Sequence, residues 1–66
     1  MRIQINGEVH TVAPGETLES LVLSLDLPSE GVALALNRQV VSRREWASRS
    51  LTEGDRVEIV RAVGGG

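Results

Sequence analysis

Only one stretch of this chain carries helical apolar spacing, and every other segment that could cover it is short and strand-like. Leu18, Leu21, Val22 and Leu25 recur at i, i+3, i+4 and i+7, which is one face of an α-helix. Glu19, Ser20 and Ser24 fall largely on the other side, and Leu23 lies off the stripe, partly exposed. The apolar face of a lone helix must be buried, and a mixed sheet is the available partner. Thr17 is placed to cap the helix, with Glu16 and Glu19 near its N-terminus where the helix dipole favours negative charge. Pro28 is expected to end it, because the residue before a proline avoids the α region.

The strands are read from alternation. Ile3 and Ile5 alternate with Arg2 and Gln4, and Asn6-Gly7 is a hairpin signal because both residues tolerate positive φ. Glu8 to Ala13 is the return strand. A strict two-residue loop sets Ile5 opposite Glu8 and Ile3 opposite His10. One residue more sets Ile5 opposite Val9 and Ile3 opposite Thr11. Burial favours the second register, so a bulge or longer turn is expected. Pro14-Gly15 breaks the strand.

Val32-Ala33-Leu34-Ala35-Leu36 alternates large and small residues, which suits a strand with its large side chains under the helix and its small ones on the open face. Asn37-Arg38-Gln39 reads as a turn and Val40-Val41 as a short strand. Ser42 to Ser48 reads as a helical turn anchored by Trp46. After a turn at Thr52-Glu53-Gly54-Asp55, Arg56 to Val63 alternates again, with Val57 and Ile59 as the core face. The order is β-β-α-β-β-β in an α+β chain. Residues 1–63 are expected to form a single domain and residues 64–66 a flexible glycine tail.

Composition excludes several classes. The chain has 66 residues and no cysteine, so neither disulfides nor a thiol nucleophile are on offer. Seven basic and nine acidic residues give a net charge of -2, with no basic stripe for nucleic acid. No apolar run approaches the length that spans a bilayer, and the first residues lack the apolar core of a signal peptide, so a cytoplasmic protein is expected. One His, with no Tyr and no Lys, is a poor set for a self-contained active site. The expectation is a non-enzyme with no metal site and no permanently bound cofactor.

With the order of elements in place, the residues resemble the ubiquitin-like β-grasp family, and within it the ThiS-type sulfur carriers of thiamine biosynthesis. The resemblance is carried by Asn6-Gly7-Glu8, Thr17-Leu18, Val32 to Asn37, Arg43 to Trp46, Gly54-Asp55-Arg56-Val57-Glu58-Ile59-Val60 and the terminal glycines. Separately each string is common; their order and spacing in so short a chain make the match specific. The related small subunit of molybdopterin synthase is usually longer, with a Pro-Pro pair before its Gly-Gly. Here Arg61-Ala62-Val63 stands in that place. A third glycine, Gly64, lengthens the tail.

The resemblance implies a five-stranded mixed sheet with one main helix on one face. It also implies a working group, the Gly66 carboxylate, run through a cycle by partner enzymes. A ThiF-like adenylyltransferase, using ATP and magnesium, forms the acyl-adenylate. A sulfur donor, such as a cysteine desulfurase relay, converts it to a thiocarboxylate. A ThiG-like thiazole synthase takes the sulfur. Gly64 and Gly65 would thread the tail into a partner's site, since glycine passes a narrow channel without a Cβ clash. The alternatives are a carrier for molybdopterin synthase, a ubiquitin-like protein modifier and, less favoured, a β-grasp RNA-binding module.

Other residues are weighed beside the tail. Val60 and Ala62 should face away from the helix and, with Ala33 and Ala35, form an apolar docking patch on the open sheet face. His10 stands alone in an edge strand with no carboxylate or metal partner evident, and is assigned no acid-base role. Trp46 is read as a core anchor rather than an interface hot spot. Arg43 and Arg44 are read as solvated cations, with reception of an anionic partner as the alternative.

Overall fold

The fold is described from a computed structural model, in which residues 1–28 and 30–61 are described. The strands are β1 (Arg2–Ile5), β2 (Glu8–Thr11), β3 (Val32–Leu36), β4 (Gln39–Val41) and β5 (Arg56–Arg61), with helix α1 (Leu18–Ser24) and a 3-10 segment (Arg43–Ser48). They form one five-stranded sheet in the order β2-β1-β5-β3-β4. β5 runs parallel to β1 and antiparallel to β3, while β1–β2 and β3–β4 are antiparallel hairpins. The strand nearest the end of the chain therefore lies at the centre of the sheet.

One face of the sheet meets the helix. Ile3 and Ile5 of β1, Leu34 of β3, Val41 of β4 and Val57 of β5 are buried there with Leu18, Leu21 and Val22, and Trp46 and Leu51 complete the core. Trp46 is the anchor its sequence context implied. It is 3% exposed, and its indole Nε1–H donates to the Val41 carbonyl at 3.0 Å. Leu23 stands out at 72% exposed. Ile59, expected in the core, packs against it only partly buried.

Two expectations are corrected. The first hairpin takes the strict two-residue register, with Ile5 opposite Glu8 and Ile3 opposite His10. Asn6 (φ 50) and Gly7 (φ 84) both sit in the left-handed region, the geometry of a turn whose twist matches its strands. Burial of Val9 did not decide the register. Met1 and Val12 pack against the core on that side, and Val9 is left 63% exposed opposite Gln4. Asn6 also holds the turn from outside the hairpin. Its Oδ1 accepts from the Ile59 N–H at 2.8 Å, and its Nδ2 donates to the Ile59 carbonyl at 3.3 Å.

The second correction concerns the end of α1, which stops at Ser24 rather than at Pro28. Asp26 takes φ 57, its N–H donates to the Leu23 carbonyl, and the Leu27 N–H reaches back to the Val22 carbonyl at 3.2 Å. That pair of bonds is a Schellman closure, with aspartate where glycine usually stands. The other end is as expected. Thr17 accepts from the Ser20 N–H at 3.1 Å, and Ser20 Oγ accepts from the Thr17 N–H at 2.9 Å. The reciprocating residue is Ser20, not a glutamate.

Candidate functional site

The residues expected at the site divide into those the sheet brings together and those outside the described residues. Ala33 of β3 pairs with Val60 of β5, and Ala35 pairs with Glu58. Leu34 and Val57 point to the helix, so Ala33, Ala35 and Val60 share the opposite, open face. Val60 is 63% exposed. With Val32 and Gly31, Ala33 and Val60 line a shallow depression beside the end of β5. Ala62, Gly64, Gly65 and Gly66, also expected at the site, lie outside the described residues.

One patch residue was missed. Val40 pairs with Ala35 and is 76% exposed, which carries the apolar surface from β5 across β3 to the edge strand β4. The signal was present in Val40-Val41. Of two consecutive strand residues one must face out, and Val41 is committed to the core beside Leu34. The patch is bordered by charge, with Glu58 on the same face and Arg56 opposite Gln4 beyond it. An apolar centre with a charged margin is the usual composition of a protein-docking surface.

The remaining candidates lie elsewhere. His10 is on edge strand β2, where Glu8 Oε1 stands 4.0 Å from its Nε2, a carboxylate neighbour the sequence reading did not find. Arg43 and Arg44 lie on the helix side. They rim a groove of about 660 Å3 between α1 and the 3-10 segment, floored by Val22, Leu27 and Trp46. Among the described residues no group of three or more His, Asp or Glu could hold a metal ion. None of the helices among them is long and apolar enough to cross a membrane.

A mixed sheet with one helix across one face, a central parallel β1–β5 pair and an apolar open face define a β-grasp domain of the ubiquitin-like kind. The same architecture occurs in the crystal structure of a thiamine biosynthesis protein (ThiS) from Geobacter metallireducens. That protein matches over the whole of both chains with a TM-score of 0.87 at 30% identity. The chain belongs to the ThiS family, whose model matches residues 3–66. It is 35% identical to the sulfur carrier protein ThiS of Escherichia coli over the full length of both. It is also 42% identical to a thiazole synthase of Magnetococcus marinus, but spans only 20% of that protein's length.

Proposed function

We propose that this chain is a sulfur carrier of thiamine biosynthesis, with the Gly66 carboxylate as its working group. The observation that carries the reading is the family match across residues 3–66, which takes in all three terminal glycines as well as the fold. The end-to-end likeness to a named sulfur carrier supports it further.

The chemistry follows from the reactivity of a carboxylate, a poor electrophile because its charge repels nucleophiles. A carboxylate oxygen attacks the α-phosphorus of ATP on a partner adenylyltransferase, with magnesium balancing the phosphate charge, and pyrophosphate leaves. A persulfide sulfur from a donor such as a cysteine desulfurase relay then attacks the acyl carbon, and AMP departs. Cleavage of the S–S bond by a thiol leaves the thiocarboxylate, whose polarisable, weakly solvated sulfur is a good nucleophile. Thiazole synthase is the acceptor, a reading favoured by the relative in which a domain like this one forms part of a thiazole synthase chain.

Ala33, Ala35, Val60 and Ala62 form the docking face in this scheme, with Val40 extending it. β5 carries the chain toward Gly66 from the middle of that face, so a partner seated on it is placed to receive the tail. The test is the intact mass of the chain after incubation with ATP, magnesium, adenylyltransferase and sulfur donor. A gain equal to exchange of one oxygen for sulfur on Gly66 is expected. An unchanged mass, with enzymes that thiolate an established carrier in the same tube, overturns the reading.

A further inference from the structure

All seven basic side chains of this protein are arginine; lysine does not occur. Their placement gives that composition a consequence. Arg2, Arg38, Arg56 and Arg61 are exposed. Arg56 lies opposite Gln4 on the same face of the sheet as Val60, and Arg61 is the last residue of β5. The residues after Arg61, numbered 62–66, span at most ~17 Å when fully extended, because a chain reaches about 3.3–3.6 Å per residue. That is the length of β5 itself, so a group on residue 66 can return along the open face as far as Arg56.

What meets it there decides the fate of an activated acyl group. An ammonium side chain releases a small fraction of free amine near neutral pH, and that amine attacks acyl carbons. A guanidinium holds its proton and spreads its charge, and it is not a nucleophile under the same conditions. We propose that the arginine-only surface keeps the chain from capturing its own activated terminus, by placing no side-chain amine within reach of Gly66. The inference rests on the reading that the Gly66 carboxylate is activated.

The reaction avoided is an amide-forming one. The amine nitrogen attacks the acyl carbon, the C–N bond forms and the C–O bond to AMP breaks. AMP leaves with the bonding pair, and the amine proton passes to solvent. An amide does not revert under these conditions, so each event would remove one carrier from the cycle. For the same reason no side chain here can accept the activated terminus of a second copy through an isopeptide bond.

The probe is the 66-residue chain carrying a chemically installed alkyl thioester on Gly66, followed at mildly alkaline pH by thiol release and intact mass. The wild type should lose thiol only as fast as water and the Met1 α-amine allow; that amine donates to the Val12 carbonyl at 2.8 Å. Arg56→Lys and Arg61→Lys should release thiol on the order of tenfold faster, since a short flexible tether supplies a millimolar effective concentration of amine. Each should yield a product lighter than the hydrolysed acid by one water, with a peptide joining residue 56 or 61 to Gly66. Arg56→Gln, which removes the charge without adding an amine, should behave as wild type.

Lysine variants that remain folded by thermal melt yet release thiol at the wild-type rate, or give no cross-linked peptide, overturn the proposal. Because the thioester is installed chemically, the result does not depend on any activating enzyme. A failure of the carrier reading would appear instead as an unchanged mass with the enzymes.

Discussion

At the scale of single residues, Asn6 does the work of two. It supplies the positive φ of the first hairpin turn and clamps both backbone groups of Ile59 across the sheet. Asn6→Ala should cost about 2–3 kcal/mol, from two lost hydrogen bonds and a left-handed backbone on a residue with no local compensation. Asn6→Asp should cost less, because its carboxylate still accepts from the Ile59 N–H; equal losses in a denaturant titration would show that the clamp contributes nothing. In the core, Leu21→Ala should cost about 2–5 kcal/mol, as for a buried leucine at 2% exposure. The same change at Ile59 should cost less than at Leu21, since Ile59 is only partly buried. Matching losses would mean that Ile59 is as deep as its alternation suggested. The alternation located both residues on the core face, but it could not grade their depth, which depends on what lies over each end of the sheet.

At the scale of elements, what was legible was whatever one element's own period specifies. The stripe Leu18, Leu21, Val22 gave the helix and its buried face, and the large-small alternation of Val32–Leu36 gave the two faces of β3. What was not legible was decided between elements or by backbone geometry without a sequence mark. The helix stops at an aspartate in a glycine-like conformation. The first hairpin keeps its tight register because Met1 and Val12 cover the core in place of Val9. The docking patch was legible in part, since Ala33, Ala35 and Val60 follow from alternation, whereas Val40 needed the β3–β4 pairing. The patch belongs to the sheet rather than to any one strand, and Val60→Asp tests it. A charge there is already in water in the free protein, so the melting temperature should hold. In a docked complex it must be desolvated, so affinity for the activating enzyme should fall at least about tenfold. Unchanged affinity would remove this face from the docking role, and a collapsed melt would place Val60 in the core.

At the scale of the whole molecule, the fold and the tail should prove separable. Extending the chain by one residue past Gly66 should abolish transfer of AMP and sulfur while leaving the denaturation midpoint unchanged. A variant that still gains AMP on its added residue, without prior trimming, would sink the proposed role of Gly66. The sheet order bears on how such a tail is held. β1 and β5 are adjacent and parallel, joined by the Gln4 N–H to the Asp55 carbonyl and the Asn6 N–H to the Val57 carbonyl, both at 2.9 Å. A pull on the chain beyond Arg61, opposed at the start of β1, loads those bonds side by side in shear. Peeling one bond at a time, as at a hairpin end, takes less force because each bond fails alone. A partner that draws the glycines taut in its channel therefore tugs against the strongest seam of the sheet, and can hold the tail under tension while the rest of the carrier stays folded.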